Sequence, residues 1–233
     1  MTSDDSSPAI SSFPENPPLS PLEARVLGCL IEKEFTTPDI YPLSMNALVN
    51  ACNQRNNRSP LLSVSAREVE AATDQLRQRR LVTLFAGADA RVAKFRQTLD
   101  NTYPLEPIAR ALIGELLLRG PQTAAGLRAN SERLHPMPDL AEIDQLLNDL
   151  AARPAGALVR RLPRQPGQKE LRWAQLFTGE PTTSPEATSN PEPLTVTMTL
   201  PPEVERRLTA LEAEIAQLRT ELATLRKALG EGS

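Results

Sequence analysis

The stretch YPLSMNALVNACNQRNNRSP, residues 41–60, carries the most unusual chemistry of the chain. Its apolar residues recur at i, i+3, i+4 and i+7, the spacing of one helix face, and they are Met45, Leu48, Val49 and Cys52. Carboxamides lie on the opposite face, at Asn46, Asn50, Asn53 and Gln54. Because asparagine competes for its own backbone and is a poor helix former, this face is typical of recognition rather than of helix stability.

A short polar loop follows this helix, and it reads RNNR (residues 55–58) before Ser59-Pro60. Proline disfavours helix in the residue before it, so the helix is expected to end in this stretch. One interpretation is an ordinary turn whose side chains cap backbone groups. The other is a binding surface, which we favour for Arg55 and Arg58. For Asn56 and Asn57 both interpretations stay open.

Two capping boxes predict where helices begin, since a serine and a glutamate three residues later satisfy free backbone amides reciprocally. They are Ser20 with Glu23, and Ser65 with Glu68. The first predicts a helix to about Lys33 and the second a helix to about Arg80. Two strands are then expected over 81–85 and 91–96. Three helices followed by a β-hairpin is the winged-helix arrangement, in which the third helix enters the major groove of DNA.

The same order of elements recurs at a spacing of roughly 75 residues, which indicates a duplicated unit. Helices are predicted over 107–119 and 123–131, and a third begins at the cap Asp139 and carries Leu140, Ile143, Leu146, Leu147 and Leu150. A second hairpin is expected over 158–162 and 171–177. This hairpin holds the densest basic cluster of the chain, which is Arg160, Arg161, Arg164, Lys169 and Arg172. The cluster indicates an anion-facing wing, with an ordinary solvated hairpin as the alternative.

A heptad pattern covers residues 201–229, after a Pro/Ser/Thr/Glu-rich linker over 178–200. Within the linker, Leu194 to Leu200 fits a strand or a helix lead-in equally well. Positions a and d of the heptads are all apolar from Val204 to Leu229. In a parallel dimer the g and e residues form three pairs of opposite charge, namely Arg207 with Glu212, Glu214 with Arg219, and Glu221 with Arg226. Self-association as a parallel dimer is therefore predicted, and a trimer stays open.

Composition narrows the function classes. The net charge is −3, but residues 19–102 carry 11 bases and 9 acids and residues 103–176 carry 10 and 8, so two mildly basic units lie between acidic tails. This charge balance is compatible with nucleic-acid binding but does not require it. Cys29 and Cys52 lie on apolar helix faces and are expected to be buried thiols. The single histidine, His135, is expected to be a loop or packing residue.

An enzyme is not expected, because the sequence has no glycine-rich phosphate loop, no metal-ligand spacing and no nucleophile with a neighbouring base. We therefore predict no catalytic residue, no cofactor and no metal. No apolar run approaches the length of a membrane span. Residues 1–18 are polar and lack the features of a signal peptide, so a disordered tail and a cytoplasmic location are expected.

The segment 41–58 also resembles a known family. YPLS (41–44), the following Asn46, ACNQ (51–54) and NR (57–58) are similar to the signature of the YceH family, bacterial proteins of unassigned function built from two winged-helix domains. The resemblance covers Leu19 to about Phe177, and the terminal heptads also fit it. It implies the fold, and it leaves function to be argued from the residues.

The sequence thus predicts a mainly α fold with small β-hairpins. Its parts are a tail (1–18), two winged-helix domains (19–102 and 103–177), a linker (178–200) and a coiled coil (201–229). The leading hypothesis is an oligomeric DNA-binding protein with a role in transcriptional regulation. The alternative is a winged-helix module that binds a protein partner, such as a scaffold in a chromosome-associated complex.

The candidate residues for binding nucleic acid or a partner are polar side chains of the second helix, its loop, the third helix and the second hairpin. They are Asn46, Asn50, Asn53, Gln54, Arg55, Asn57, Arg58, Arg67, Arg77, Arg160, Arg161, Arg164, Lys169 and Arg172. Carboxamides and guanidinium groups of the first domain suit base edges, and the arginines of the second hairpin suit phosphates. The polar surface of Asn46, Asn53, Gln54, Arg55 and Arg58 is expected to serve binding rather than stability. Replacing Arg55 and Arg58 should therefore change stability by no more than about 0.5 kcal/mol.

Overall fold

The computed structural model describes residues 17–85, 92–164 and 170–181. Two successive sets of three helices and a β-hairpin make up these ranges, and we term them the first repeat (residues 21–97) and the second repeat (residues 107–175). A short helix, α4 (Leu99–Thr102), lies between them. The expectation of a mixed fold of helices and small antiparallel sheets is confirmed.

The first repeat contains α1 (Pro21–Thr36), a 3-10 helix (Pro38–Ile40), β1 (Leu43–Ser44), α2 (Met45–Cys52), α3 (Ala66–Gln78), β2 (Val82–Phe85) and β3 (Lys94–Gln97). The second repeat contains α5 (Pro107–Arg119), α6 (Ala124–Ser131), α7 (Leu140–Ala151), β4 (Val159–Arg161) and β5 (Trp173–Gln175). The predicted limits are correct to within a few residues, although α1 runs beyond Lys33 and β3 begins later than expected.

The helices begin where the capping signals predict. At α1, Glu23 N–H donates to Ser20 Oγ at 3.2 Å and Ser20 N–H donates to the Glu23 carboxylate at 2.6 Å. Ser65 and Glu68 form the same box at α3. The remaining caps, which each accept one backbone N–H, are Ser44 for α2, Thr123 for α6 and Asp139 for α7. Each such cap stabilises its helix by about 1 kcal/mol because it satisfies an amide that the helix leaves free.

The sheets of the two repeats follow one plan. In the first repeat, β3 lies between β1 and β2 and pairs antiparallel with both, placing Phe95 opposite Leu43 and Leu84. In the second repeat, β4 pairs antiparallel with β5. A single bridge between Gln122 and Trp173 takes the place of the β1–β3 pairing. Leu43 and Gln122 are equivalent because each precedes the cap residue of the second helix.

The repeats share one hydrophobic core, which is centred on the packing of α1 against α5. Every residue of α1 from Glu23 to Glu32 is buried. Gly28 and Gly114, each the eighth residue of its helix, allow close approach. A Cβ on Gly28 would lie 3.0 Å from Leu118 Cδ2, and one on Gly114 would lie 2.7 Å from Ile31 Cγ2. The limits of two separate domains stay a prediction.

Several smaller predictions can also be compared with the structure. Cys29 and Cys52 are buried free thiols, as expected. The ring of His135 packs edge-on against Phe35 with centroids 6.1 Å apart, which agrees with a packing role. Leu140 lies in α7, as predicted, and it is 44% exposed. It begins the helix, ahead of the turn that packs on the core.

Along the part of the chain that the structure describes, no helix has both the length and the hydropathy needed to cross a bilayer. Several predictions lie outside the described residues. They are the tail up to residue 16, the linker from residue 182 with its Leu194–Leu200 segment, and the coiled coil over 201–229.

Candidate nucleic-acid interface

A cleft of about 870 Å³ lies where the end of α3 meets the first hairpin. Its lining includes four arginines, Arg77, Arg79, Arg80 and Arg96, and one acidic residue, Asp100. We term this surface the arginine cleft. The first three arginines lie at the end of α3 and in the turn after it, whereas Arg96 lies in β3. The pairing of β2 with β3 therefore brings the fourth arginine to the other three.

The backbone under the arginine cleft is held by local hydrogen bonds. Arg80 has a left-handed φ of 61°, which is uncommon for a residue with a side chain. Its N–H donates to Arg77 O at 3.0 Å, and Leu81 N–H donates to Leu76 O at 2.9 Å, closing the helix end. Thr98 Oγ1 donates to Arg80 O at 2.8 Å. This turn is therefore tied to the end of β3, so the cleft is formed by ordered backbone.

The local ion pairs leave the arginine cleft positive. Asp100, the acid in its lining, pairs with Arg110 of α5 at 3.2 Å. Within the described ranges, the exposed side chains of Arg80 and Arg96 enter no ion pair. A cleft lined by charge of one sign concentrates the field and attracts anions.

The two other arginines of the cleft have partners within the protein, and that of Arg77 competes only weakly with a ligand. Arg77 pairs with Asp74 at 2.9 Å, and both side chains are largely exposed. Arg79 approaches Glu23 at 4.0 Å and also donates to Pro17 O. Because exposed pairs contribute only about 0–1 kcal/mol, a phosphate can displace Asp74 from Arg77 at little cost.

Two of the four carboxamides predicted for recognition stabilise the fold instead. Asn53 Nδ2 donates to Val64 O at 2.8 Å, and Asn53 Oδ1 accepts from Val64 N–H at 2.8 Å. This pair of bonds closes the loop between α2 and α3. Gln54 Oε1 accepts a hydrogen bond from a loop arginine at 3.0 Å. Asn46 and Asn50 are exposed, so they stay candidates for binding.

Arg58 is buried, and the prediction that it lies on an exposed surface is wrong. Its side chain is 0% exposed, and its guanidinium donates to the two carboxylate oxygens of Glu32 at 3.1 and 2.5 Å. Arg58 Nε also donates to Ala51 O at 3.1 Å. The planar guanidinium matches a carboxylate in this bidentate geometry. The loop therefore places Arg58 inside the protein because Glu32, itself 2% exposed in α1, needs a buried partner.

The carboxylate of Glu32 also connects the two repeats. Arg133, in the loop after α6, donates to Glu32 at 2.6 Å and to Glu115 of α5 at 3.0 Å. We term Glu32, Arg58, Glu115 and Arg133 the buried ion network. Burial alone would raise the pKa of Glu32, but hydrogen bonds and charges of the two arginines outweigh it and hold that pKa below its ordinary value. At Glu115, burial outweighs the neighbouring arginines and raises the pKa.

The other candidates of the first repeat are distributed over its surface. Arg55 is exposed in the loop, and Arg67 is exposed in the first turn of α3. Asn57 has a left-handed φ of 57° and accepts a hydrogen bond from Arg119 at 3.3 Å through Oδ1. Arg77 alone of the predicted residues lies in the arginine cleft.

The basic cluster of the second hairpin is partly engaged within the protein. Arg160 forms an ion pair with Glu180, and the guanidinium of Arg161 lies 5.1 Å from the ring centroid of Trp173. The remaining members are two exposed arginines and one residue outside the described ranges, namely Arg164, Arg172 and Lys169. These contacts reduce the number of charges that the hairpin presents to an anion.

Helix α7 has the position in the second repeat that α3 has in the first, but its charges differ. From its cap to its last turn, α7 carries four acids and no base, which are Asp139, Glu142, Asp144 and Asp149. All four are exposed. Like charge repels the phosphates of a duplex, so α7 is not suited to a DNA groove.

Sequence reasoning missed three of the four arginines of the arginine cleft, namely Arg79, Arg80 and Arg96. The first two lie in RQRR (residues 77–80), a basic run directly before a predicted strand. That run was an available signal, because bases clustered at a helix end mark an electrostatic footprint. Arg96 carried no such signal, since only the strand register places it beside the run.

Comparison with known proteins gives a consistent family. Residues 19–168 match the family model described as "Protein of unknown function, DUF480". A UPF0502 protein of Geotalea daltonii is 53% identical over 174 residues, covering 75% of this chain and 79% of that protein. A UPF0502 protein of Geotalea uraniireducens is 48% identical over 91% of this chain and 95% of its own length. A UPF0502 protein of Cronobacter sakazakii is 43% identical over 91% of this chain and 98% of its own length.

Proposed function

This chain belongs to the family described as "Protein of unknown function, DUF480", and we propose that it binds nucleic acid through the first of two winged-helix domains. Each repeat has the helix and hairpin order of a winged helix, the arrangement that the resemblance to the YceH family also implies. The observation that carries the proposal is the arginine cleft, with four arginines and one acid that is paired elsewhere.

The arginine cleft suits phosphate oxygens better than base edges. Its arginines lie at the end of α3 and on β3, where they can contact the backbone of a duplex beside α3. The exposed face of α3 itself carries Arg67 and Glu70 and therefore has no single sign of charge. Binding at this surface is thus expected to depend strongly on salt and weakly on base sequence.

The test is fluorescence anisotropy with a labelled DNA duplex between about 50 and about 200 mM salt. The variant Arg80→Glu with Arg96→Glu reverses the two arginines that enter no ion pair among the described residues. We expect it to lose at least about tenfold in affinity and to lower the salt slope by about two units. The matched control reverses two exposed arginines outside the cleft, Arg55→Glu with Arg164→Glu.

The control decides between the arginine cleft and general electrostatics, because both double variants change the net charge equally. Near-normal binding by the control, beside strong loss in the cleft variant, supports the proposal. Equal loss in both variants would show that binding has no specific location. Absence of duplex binding by the wild-type protein at low salt would end the nucleic-acid proposal.

A protein-binding module is the second candidate function, and the surface of the second repeat favours it. Leu140, at the start of α7, is 44% exposed, and Asp139, Glu142 and Asp144 lie within four residues of it in the sequence. The first hairpin also exposes apolar residues, with Leu84 at 39% and Phe85 at 49%. Exposed apolar side chains rimmed by charge are typical of protein interaction surfaces. A basic protein segment would fit the α7 surface.

A pull-down from cell lysate with and without nuclease separates the two functions. Under the nucleic-acid proposal, DNA or RNA is recovered and nuclease removes the captured material. Under the alternative, a stoichiometric protein stays bound after nuclease treatment and is lost in a variant that carries Leu140→Glu. Leu140→Glu leaves the arginine cleft unchanged, so it should retain duplex binding.

Self-association through Val204 to Leu229 belongs to both proposals and stays a prediction, since this segment lies outside the described residues. Its support is the heptad pattern with three complementary charge pairs, which favours a parallel dimer. Sedimentation should give a dimer for the full chain, or the trimer left open above, and a monomer for a chain truncated at Gly179. An unchanged oligomeric state after truncation would contradict this part of the proposal.

A further inference from the structure

A second basic cavity lies between the repeats, beside the loop that contains Arg58. It measures about 400 Å³, and its lining includes Arg58, Ser59, Arg119, Gln122, Thr123 and Arg172, with no acidic residue. These residues come from the loop after α2, the end of α5, the start of α6 and the strand region of the second hairpin. We term this cavity the inter-repeat pocket.

The arginines around the inter-repeat pocket outnumber the carboxylates. Arg58 binds Glu32, Arg119 lies 3.3 Å from Glu115, and Arg133 shares both carboxylates. Two acids thus face three guanidinium groups. Surplus positive charge beside a pocket raises the local affinity for an anion, because buried charge is costly without a counter-charge.

Arg172 of the pocket lining adds to this surplus, and so does Arg25, which lies near Arg58. Arg25 is 2% exposed, and its guanidinium donates to carbonyl oxygens, Cys52 O at 3.3 Å and Pro60 O at 2.6 Å. Arg172 is exposed in the lining of the pocket. Neither contact of Arg25 supplies negative charge, so the carboxylates of the buried ion network do not balance the arginines around the pocket.

The first turn of α6 forms another wall. Thr123 caps this helix by accepting Gly126 N–H at 3.0 Å, and both residues line the pocket. The helix N-terminus carries a partial positive charge and free amides, which favour a bound anion. This contribution has the same sign as the arginines.

Gln122 supplies an independent hydrogen-bond donor in the pocket lining. Its backbone pairs with Trp173 in both directions at 3.1 and 2.7 Å, and its Oε1 accepts from Asn130 at 2.6 Å. These bonds hold the side chain in place. Its Nε2 is nevertheless buried without a hydrogen-bond partner among the described residues. Buried donors are normally satisfied, so this amide of the pocket lining can donate a hydrogen bond to a bound acceptor.

We propose that the inter-repeat pocket binds a phosphate group. A guanidinium group matches phosphate oxygens in bidentate geometry, and the helix terminus and an amide add neutral donors. The volume is larger than inorganic phosphate needs and suits a small phosphate monoester. A phosphate of a nucleic-acid backbone has the same chemistry and is the other source. The proposal does not rest on the arginine cleft, which contains none of these residues.

Calorimetric titration of the full chain with inorganic phosphate, and with adenosine 5′-monophosphate, tests the pocket at constant ionic strength. We expect both to bind and to raise the melting temperature by mass action. Arg172→Gln should weaken both by about tenfold, since it removes one charge-assisted contact from an exposed position. Arg164→Gln is the matched control, because Arg164 is an exposed arginine of the same hairpin outside this lining.

Ser59→Asp provides a second variant that should fold, since Ser59 is exposed. Its carboxylate would neutralise the arginines from within the pocket, so phosphate binding should be lost while the melting temperature without phosphate stays equal or rises. Failure of the wild-type protein to bind phosphate, or equal behaviour of Arg172→Gln and Arg164→Gln, would overturn the proposal.

Duplex DNA in the same titrations separates the two sources of phosphate. If Arg172→Gln weakens inorganic phosphate and leaves DNA unaffected, the ligand is a free phosphate compound. If it weakens both, the pocket contacts the nucleic-acid backbone. Both results support a phosphate site, whereas loss of DNA binding with unchanged phosphate binding would contradict it. Failure of the proposed nucleic-acid function would instead appear as absence of duplex binding beside normal phosphate binding.

Discussion

The two repeats share their architecture and differ in the charge of their surfaces. Both begin with a proline-initiated helix that contains glycine at its eighth residue, and both cap their second and third helices with a hydroxyl or carboxylate side chain. Yet α3 ends at the arginine cleft, whereas every charged residue of α7 is acidic. Core and capping positions are constrained by packing, while surface positions are free to change. A shared fold therefore does not imply a shared ligand.

The loops after α2 and α6 offer a finer comparison. Each sends an arginine to Glu32, but the side chain of Arg58 is 0% exposed and that of Arg133 is 30% exposed. The longer loop of the first repeat encloses its arginine, and the second leaves its arginine partly in water. The ion pairs that the two arginines form with Glu32 should therefore contribute very differently to the free energy of unfolding.

The largest expected effect comes from Arg58. Arg58→Ala leaves Glu32 buried with only the partly exposed Arg133, so the free energy of unfolding should fall by about 3–5 kcal/mol. Urea denaturation of the full chain measures this. Arg133→Ala should cost less, since water screens part of its charge.

Arg55→Ala is the matched control for Arg58, because it removes an exposed arginine from the same loop. It should change stability by no more than about 0.5 kcal/mol. Similar small effects for Arg58→Ala and Arg55→Ala would show that burial does not distinguish the two arginines, and the comparison of the loops would fail.

Local signals made most of the fold predictable. The boxes at Ser20 and Ser65 are correct because a cap depends only on residues three apart. The apolar spacing of α2 likewise predicted the buried Leu48 and Cys52.

The candidate site was much less predictable, since its residues are joined by tertiary contacts. Nothing near Arg58 in the sequence reveals Glu32, which lies on another helix. The only hint is an acid within the otherwise apolar run LGCLIE, residues 27–32, which would need a buried partner. Arg96 joins the arginine cleft through strand pairing, which a single sequence does not specify.

The next largest expected effect on stability concerns the contact between the repeats. Gly114→Ala would place a Cβ 2.7 Å from Cγ2 of Ile31, whose β-branched side chain has little freedom to move. We expect a loss of about 1–3 kcal/mol, measured by urea denaturation. Gly28→Ala meets the more flexible Leu118 at 3.0 Å, and the better helix propensity of alanine, about 1 kcal/mol, offsets the crowding. Equal losses at both glycines would show that the two helices do not differ in local rigidity.

Apart from the Arg55→Ala control, the smallest expected effect at neutral pH is that of Glu115→Gln. Its dependence on pH contrasts the carboxylates of α1 and α5. Because burial raises the pKa of Glu115, its contribution to stability is present below the unfolded pKa of about 4.3 and is lost as pH rises through the folded pKa. Since its arginine partners are partly exposed, we expect Glu115→Gln to change stability by at most about 1 kcal/mol at pH 7. Lowering the pH should then favour the wild-type protein over this variant.

Glu32 should behave in the opposite way. Its pKa is lowered, so its contribution is complete above the unfolded pKa of about 4.3 and is lost as pH falls through the folded pKa. The advantage of the wild-type protein over Glu32→Gln should therefore shrink in acid, where its advantage over Glu115→Gln grows. Urea denaturation of the three proteins between about pH 3.5 and about pH 7 measures both differences. If the two variants showed pH dependences of the same sign, the carboxylates of α1 and α5 would share one environment. Only unequal balances of burial and arginine charge can shift their pKa values in opposite directions.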